Sequence, residues 1–145
     1  MVKFLLPLLA ILGGAALAVQ GQINGGLGKK VGVIEASFIS FTIGTVALFF
    51  VVIFFGKGDL LAVLNVPKWQ LTGGLLGVIY VVIAILVVPK LGVVGSLMAI
   101  ITGQILLGAV IDHFGLFGGH RIPIDVKKTF AILLLFVSII LYNKS

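Results

Sequence analysis

The chain has no cysteine and very little charge. Without cysteine there can be no disulfide bond, no thiolate nucleophile and no thiolate metal ligand. Only 10% of the 145 residues are charged and 61% are hydrophobic, whereas a soluble globular protein has about 25% charged and about 45–50% apolar residues. So few polar residues cannot cover a surface that faces water. The composition therefore predicts a membrane protein.

The sequence also lacks the motifs of enzymes and of nucleic-acid-binding proteins. It has no nucleophile elbow, no phosphate-binding loop and no paired carboxylates inside an apolar stretch. The ten basic residues, which give a net charge of +6, are scattered over short loops and form no single basic face. The spacing of Asp112, His113 and His120 matches no zinc site. We expect no enzyme activity, no metal, no cofactor and no nucleic-acid partner.

Five apolar stretches are long enough to be membrane helices. A hydrocarbon core about 30 Å thick needs about 20 residues of helix. We predict an all-α membrane protein with a single transmembrane domain over 1–145 and five transmembrane helices, at about 4–24, 34–55, 69–88, 93–111 and 126–142. Asp59 and Asp125 precede helical segments and are suited to cap them. The segment 89–92 predicts a tight turn between the third and fourth spans.

The basic residues set the orientation only weakly. With five spans the termini lie on opposite faces of the membrane, with six basic residues on the face of the N-terminus and four on the other. The positive-inside rule then favours a cytoplasmic N-terminus by a small margin. Such a margin permits dual topology, in which copies insert in both orientations and form an inverted repeat, as in many secondary transporters. A single orientation fits the charge counts equally well.

Polar side chains within the spans are the candidates for a solute pathway. Polar groups are costly inside a membrane and usually face a bundle interior or an aqueous cavity. The candidates are Gln20, Asn24, Ser40, Thr42, Tyr80, Thr102 and Gln104, with Ser37 and Thr45 also on the second span. For Gln20, Asn24 and Gln104 two interpretations remain open, which are contact with a solute and hydrogen bonding between helices. The serine and threonine hydroxyls have a third option, bonding their own backbone.

Two acidic residues lie at the ends of spans. Glu35 begins the second span, where the helix dipole favours a carboxylate. It is also a candidate for a protonatable or cation-binding group at the mouth of a cavity. Asp112 ends the fourth span, where the dipole disfavours negative charge. We therefore predict that Asp112 pairs with a cation of the following loop, which offers Arg121, Lys127 and Lys128.

Small residues recur every four positions on three spans. The sets are Gly95, Ala99 and Gly103 on span four, Ala10, Gly14 and Ala18 on span one, and Gly73 and Gly77 on span three. In membranes, where apolar residues alone do not drive association, this spacing lets helix backbones approach closely. Either these faces pack within the chain, or span four, with span five, meets a second subunit.

Several of these residues follow a family pattern. The matching elements are Gln20, Asn24 and 27–28 at the end of span one, 40–45 in span two, 73–80 in span three, 103–104 in span four, and the string 112–118 after it. Over essentially its whole length the chain resembles the YdcZ-like inner-membrane proteins of the drug/metabolite transporter (DMT) superfamily. The resemblance implies one five-helix DMT-type repeat, equivalent to half of a ten-span transporter, in the inner membrane of a bacterium. It implies an exporter but supplies no substrate. The acidic residue in the first helix of the superfamily's small multidrug resistance members has no counterpart here.

The predicted function is secondary transport of a small solute. We expect an exporter that works by alternating access as a homodimer, which could be antiparallel, or together with an oppositely oriented paralogue. A small metabolite or an amphiphilic cation would be the solute. The alternative is a membrane partner or assembly subunit that transports nothing.

Overall fold

The computed structural model describes the backbone of residues 2–143 and the side chains of residues 4–142. The α-helices are α1 (Val2–Val31), α2 (Val33–Phe55), α3 (Gly73–Phe114) and α4 (Val126–Asn143), and short 3-10 turns cover Leu60–Asn65, Lys68–Thr72 and Leu116–Gly118. Across this described part of the chain there is no β-strand. The predicted all-α class is confirmed.

Three stretches within the described residues are long and apolar enough to cross a membrane. They are Phe4–Val31, Val33–Phe55 and Lys68–Phe114, with 28, 23 and 47 residues. At 1.5 Å per residue the first two are roughly 42 and 35 Å long, and the third reaches roughly 70 Å. The third stretch is therefore about twice as long as a hydrocarbon core of about 30 Å requires.

The long helix α3 is broken at Gly92, within the segment predicted to turn. Gly92 has φ 74° and ψ 168°, whereas Pro89 lies inside the helix. A positive φ is readily adopted only by glycine, since other residues meet a steric penalty there. The change of backbone direction predicted for 89–92 is thus made by a single glycine. It divides α3 into segments 73–91 and 93–114.

The first helix is longer than predicted. The predicted membrane span ends near residue 24, and the helix α1 continues to Val31. Glycines disfavour helix by about 1 kcal/mol each, but three of them here pack closely against α3. A Cβ at Gly21 would lie 3.4 Å from Val88 Cγ2, one at Gly25 would lie 3.1 Å from Pro89 Cγ, and one at Gly28 would overlap Ile85 Cγ2. Close packing of α1 on residues 85–89 keeps this glycine-rich segment helical.

The small-residue faces singled out from the sequence are mostly uncovered. At Gly14, Gly73 and Gly103 a Cβ would meet nothing within 4 Å. Gly77 lies against the Phe41 ring at 3.5 Å, and Gly95 lies 3.6 Å from Tyr142 of α4. Of the glycines in these sets, Gly77 and Gly95 are thus the ones that pack against another helix of the chain.

The chain forms two compact units, 1–90 and 91–145. In the first, the buried residues Ala36, Val81 and Ile85 form a core, with Leu27, Val33, Phe41 and Tyr80 packed against it. This core lies near Gly32, the single residue that joins α1 to α2. Farther from Gly32, residues 4–17 of α1 and 42–55 of α2 are exposed. In the first unit the helices are therefore packed together near Gly32, and their residues at the opposite end are exposed.

In the second unit, the loop after α3 folds back onto the helix end. Ile122 donates its backbone N–H to the Asp112 carbonyl at 2.7 Å. Arg121 Nε donates to the His113 carbonyl, and the backbone N–H of Ile124 donates to His113 Nδ1, both at 3.1 Å. The last carbonyls of a helix have no partner within the helix, and this loop supplies donors to two of them. Residues 121 and 122 of the loop therefore cap the end of α3.

The ion pair predicted for Asp112 was wrong. Within residues 4–142 its carboxylate forms no ion pair, and Arg121 donates instead to the His113 carbonyl. Lys128 Nζ donates to the carbonyl of Pro123 at 2.8 Å. Both cations thus donate to backbone carbonyls and not to the Asp112 carboxylate.

Both predicted aspartate caps are confirmed. Asp59 Oδ1 accepts the backbone N–H of Leu61 at 2.9 Å, at the start of the turn Leu60–Asn65. Asp125 Oδ1 accepts the backbone N–H of Lys128 at 2.8 Å, directly before α4. A side-chain oxygen at this position satisfies one of the free N–H groups that every helix start exposes.

Candidate functional site

A polar cavity lies between α1, α2 and α3 in the first unit. Its volume is about 190 Å³, and it is lined by Gln20, Ser40, Phe41, Gly44, Thr45, Leu48 and Val81. The lining offers one amide, two hydroxyl groups and one aromatic ring among apolar side chains. It includes no ionisable side chain. This cavity, called the central cavity below, is suited to a solute that forms hydrogen bonds and carries an apolar part.

In a bilayer whose hydrocarbon core begins at the Gly32 end of these helices, the central cavity would lie near the midplane. Gln20 precedes the end of α1 by eleven residues, and Thr45 follows the start of α2 by twelve. At 1.5 Å per residue these separations are about 17 and 18 Å from the Gly32 end. The midplane of a hydrocarbon core about 30 Å thick lies about 15 Å from each of its faces. At that depth water would be scarce, and hydrogen bonds would have to come from protein or solute.

A hydrogen bond between helices closes the cavity on the side of Gly32. Asn24 Nδ2 donates to Ser40 Oγ at 3.0 Å, and only 6% of the Asn24 surface is exposed. Asn24 lies one helical turn beyond Gln20, so it shares a face with the residue that lines the cavity. Of the two interpretations open for Asn24, its position supports hydrogen bonding between helices.

The other side of the cavity is not enclosed by this unit. Gln20, Thr45 and Leu48 are all exposed, and a Cβ at Gly44 would meet nothing within 4 Å. A binding pocket normally buries most of its ligand surface. A solute in the central cavity would therefore need further protein around it.

The remaining candidates on the first unit lie outside the lining. Tyr80 is half-buried and packs against the core. Thr42 is exposed and its Oγ1 donates to the Phe38 carbonyl at 2.8 Å. Ser37 is buried and donates to the Val33 carbonyl at 2.9 Å. Both hydroxyls thus bond their own helix, the arrangement common for Ser and Thr in membrane helices.

Glu35 lies in the first turn of α2 and is exposed. Its carboxylate folds over Gly32, where an added Cβ would overlap Glu35 Oε2. This is the position in which a carboxylate stabilises a helix N-terminus. Ser40, the nearest polar residue of the central cavity on the same helix, is five residues away, or about 7.5 Å along the axis.

Two candidates belong to the second unit. Thr102 is buried, and its hydroxyl donates to the Met98 carbonyl at 2.7 Å. Gln104 is exposed. The structure thus brings Gln20 and Ser40 together in one cavity, with Asn24 bonded to Ser40. Thr102 and Gln104 belong to the other unit.

The apolar part of the lining was missed from the sequence. Gly44 and Leu48 follow Ser40 at intervals of four residues, a spacing that puts all three on one helix face. This spacing is visible in the sequence. However, most residues of α2 are apolar, so one face of the helix does not differ clearly in polarity from another. Only the position of α1 shows which face forms the cavity.

Residues 5–141 match the model of a family described as "Putative inner membrane exporter, YdcZ". The chain belongs to the YdcZ family. The match covers both units and confirms the resemblance drawn from the sequence motifs. Membership of a family so described, together with the long apolar helices, indicates a membrane protein and supports a role in transport. No curated protein and no solved structure matches the chain.

Removing the Asn24 amide should destabilise the first unit modestly. In Asn24→Leu the hydrogen bond to Ser40 is lost, and bonds of this kind between membrane helices contribute about 0.6–2 kcal/mol. Gln22→Leu is the control, because Gln22 lies on the same helix but is exposed. Unfolding in mixed micelles, followed by circular dichroism, should show a loss for Asn24→Leu alone. Equal stability of the two variants would contradict this role for Asn24.

Proposed function

We propose that this YdcZ-family protein is a secondary transporter that exports a small solute from a bacterial cell through the central cavity. The observation that carries the proposal is a cavity whose lining is uncharged and offers hydrogen-bonding groups, about halfway along helices long enough to cross a membrane. Polar groups within membrane helices are costly and usually face a bundle interior or an aqueous cavity. Substrate sites of secondary transporters commonly lie near the midplane, between structural repeats.

The proposal includes a dimer of five-span halves. Because the central cavity is open on one side, a second subunit would complete it. The exposed residues Ala99 and Gly103 offer a face on which a second helix could approach closely. A copy inserted in the opposite orientation, or an oppositely oriented paralogue, would supply the inverted repeat on which many alternating-access transporters are built.

The neutral lining indicates the kind of solute. Gln20, Ser40 and Thr45 offer donors and acceptors but no fixed charge. A compact metabolite with hydroxyl, amide or amine groups fits such a lining, and the Phe41 ring suits an amphiphilic cation as well. A role for Glu35 in proton coupling stays a prediction from the sequence.

A pair of threonine substitutions on α2 tests the proposal. Thr45 lines the cavity and Thr42 does not, so Thr45→Val and Thr42→Val remove one hydroxyl each from inside and outside the pathway. Loss of a hydrogen bond to a desolvated solute costs about 1.4 kcal/mol, which is about tenfold in rate or affinity. We expect about tenfold slower transport for Thr45→Val and a change of less than about twofold for Thr42→Val.

Transport is measured in proteoliposomes preloaded with a mixture of uncharged metabolites and amphiphilic amines. Efflux of each compound is followed by mass spectrometry, with protein-free liposomes as background. If no compound leaves faster than background, the protein is better explained as a non-transporting membrane partner. If both threonine variants slow efflux equally, transport occurs but not through the central cavity.

A further inference from the structure

A second cavity opens at the Gly32 end of the first unit, where α1 and α3 cross. Its volume is about 340 Å³. Lys29 of α1 and Lys90 of α3 line it, with Ile85 and Pro89 among the apolar residues of its wall. We call it the lysine cleft. At about 30 Å³ per water molecule it has room for a polar group of some ten heavy atoms.

The charge of the lysine cleft is uncompensated. Its lining holds two ammonium groups and no carboxylate. Both lysines are exposed, and neither forms an ion pair or a side-chain hydrogen bond with any residue in the range 4–142. Glu35, the nearest acid along the chain, folds over Gly32 instead. A group with negative charge and several acceptor oxygens would satisfy both lysines.

The position of the cleft along the helices matches the headgroup level of a bilayer. Lys29 is two residues before the end of α1, and Lys90 is two residues before the break at Gly92. Both lysines thus stand where long apolar stretches end. Below them the wall is apolar, and α1 approaches α3 so closely that a Cβ at Gly25 would lie 3.1 Å from Pro89 Cγ. The cleft therefore has a charged rim and an apolar, closed floor.

We propose that the lysine cleft binds the phosphate group of an anionic phospholipid, with the lipid's glycerol and upper acyl carbons against the apolar wall. Basic pockets between membrane helices are suited to anionic headgroups. A lysine in the last turn of a helix also interacts favourably with the helix dipole. That interaction alone would explain the lysines without any ligand. Lys30 separates the two explanations, because it shares the last turn of α1 but does not line the cleft.

The test compares two double variants that lose the same charge. Lys29→Gln/Lys90→Gln removes both positive charges from the cleft, whereas Lys30→Gln/Lys57→Gln removes two positive charges that lie outside it. Each protein, purified in a neutral detergent, is titrated with phosphatidylglycerol or phosphatidylcholine, and bound lipid is counted by native mass spectrometry. We expect wild type to prefer phosphatidylglycerol at least tenfold. The cleft variant should lose that preference, the control should keep it within about twofold, and Lys29→Arg/Lys90→Arg should retain it.

Several outcomes would overturn the proposal. Equal losses in the two double variants would mean a diffuse attraction between cations and lipid. Equal binding of the two lipids by wild type would mean that the cleft does not recognise the anionic headgroup. Displacement of phosphatidylglycerol by millimolar inorganic phosphate would assign the cleft to a free anion. The result is independent of the transport assay, since neither lysine lines the central cavity.

Discussion

Gly28→Ala is expected to destabilise the first unit, whereas Gly26→Ala should leave it unchanged or slightly more stable. Both glycines lie in the same part of α1, and alanine is the better helix former by about 1 kcal/mol. At Gly26 a Cβ would meet nothing within 4 Å. At Gly28 it would overlap Ile85 Cγ2, and Ile85 is a core residue that is only 2% exposed.

The expected cost at Gly28 follows from overpacking. Inserting an extra methyl into a filled core costs typically about 1–3 kcal/mol, which exceeds the gain in helix propensity. The two variants should therefore differ in sign or at least by about 1–2 kcal/mol, and by a few degrees in melting temperature. Thermal unfolding in detergent, followed by circular dichroism, measures the difference.

A larger side chain sharpens the comparison. Gly28→Val should prevent α1 from packing on α3, while Gly26→Val should cost only the lower helix propensity of valine. If Gly28→Ala and Gly26→Ala prove equally stable, the close approach of α1 to residues 85–89 is not present in the folded protein.

The second large effect is expected at Gly32. This residue alone connects α1 and α2, and it has φ 102° and ψ 154°. That backbone region is essentially restricted to glycine, and forcing another residue into it costs on the order of 1–3 kcal/mol. A Cβ at Gly32 would also overlap the Glu35 carboxylate. Gly32→Ala should therefore be strongly destabilising.

A double variant separates the two causes at Gly32. Glu35→Ala removes the carboxylate, so Gly32→Ala/Glu35→Ala retains the backbone strain without the overlap. Because a carboxylate at a helix start can rotate away, we expect the double variant to regain little. Unfolding can be followed through Trp69, the single tryptophan of the chain, with Gly58→Ala as a control at an open position. If the double variant is as stable as Glu35→Ala, the strain is unimportant.

The sequence predicted those features that depend on local chemistry. The apolar composition indicated membrane helices, and aspartates before apolar runs correctly located two caps. The start of α4 followed from Asp125, and α2 (Val33–Phe55) lies within one residue of the predicted span 34–55. Each of these depends on neighbours along the chain, which are visible in a single sequence.

Features that depend on a neighbouring helix were harder to predict. Small residues every four positions indicate a face that could pack, but not whether another helix lies there. Thus Gly14 is uncovered, while Gly25 and Gly28, which the sequence placed in a loop, pack closely against α3. The cavity residues Gln20 and Ser40 were found by their polarity, whereas Leu48 carries no distinguishing chemistry.

The one-residue connection at Gly32 restricts how the first unit can move. Because a single residue separates Val31 from Val33, the joined ends of α1 and α2 stay together. A relative motion of the two helices would therefore be a hinge rotation about Gly32 that separates their opposite ends. Such a hinge would open the central cavity toward one side of the membrane alone. Under the proposed mechanism, access from the opposite side would then have to come from the second subunit.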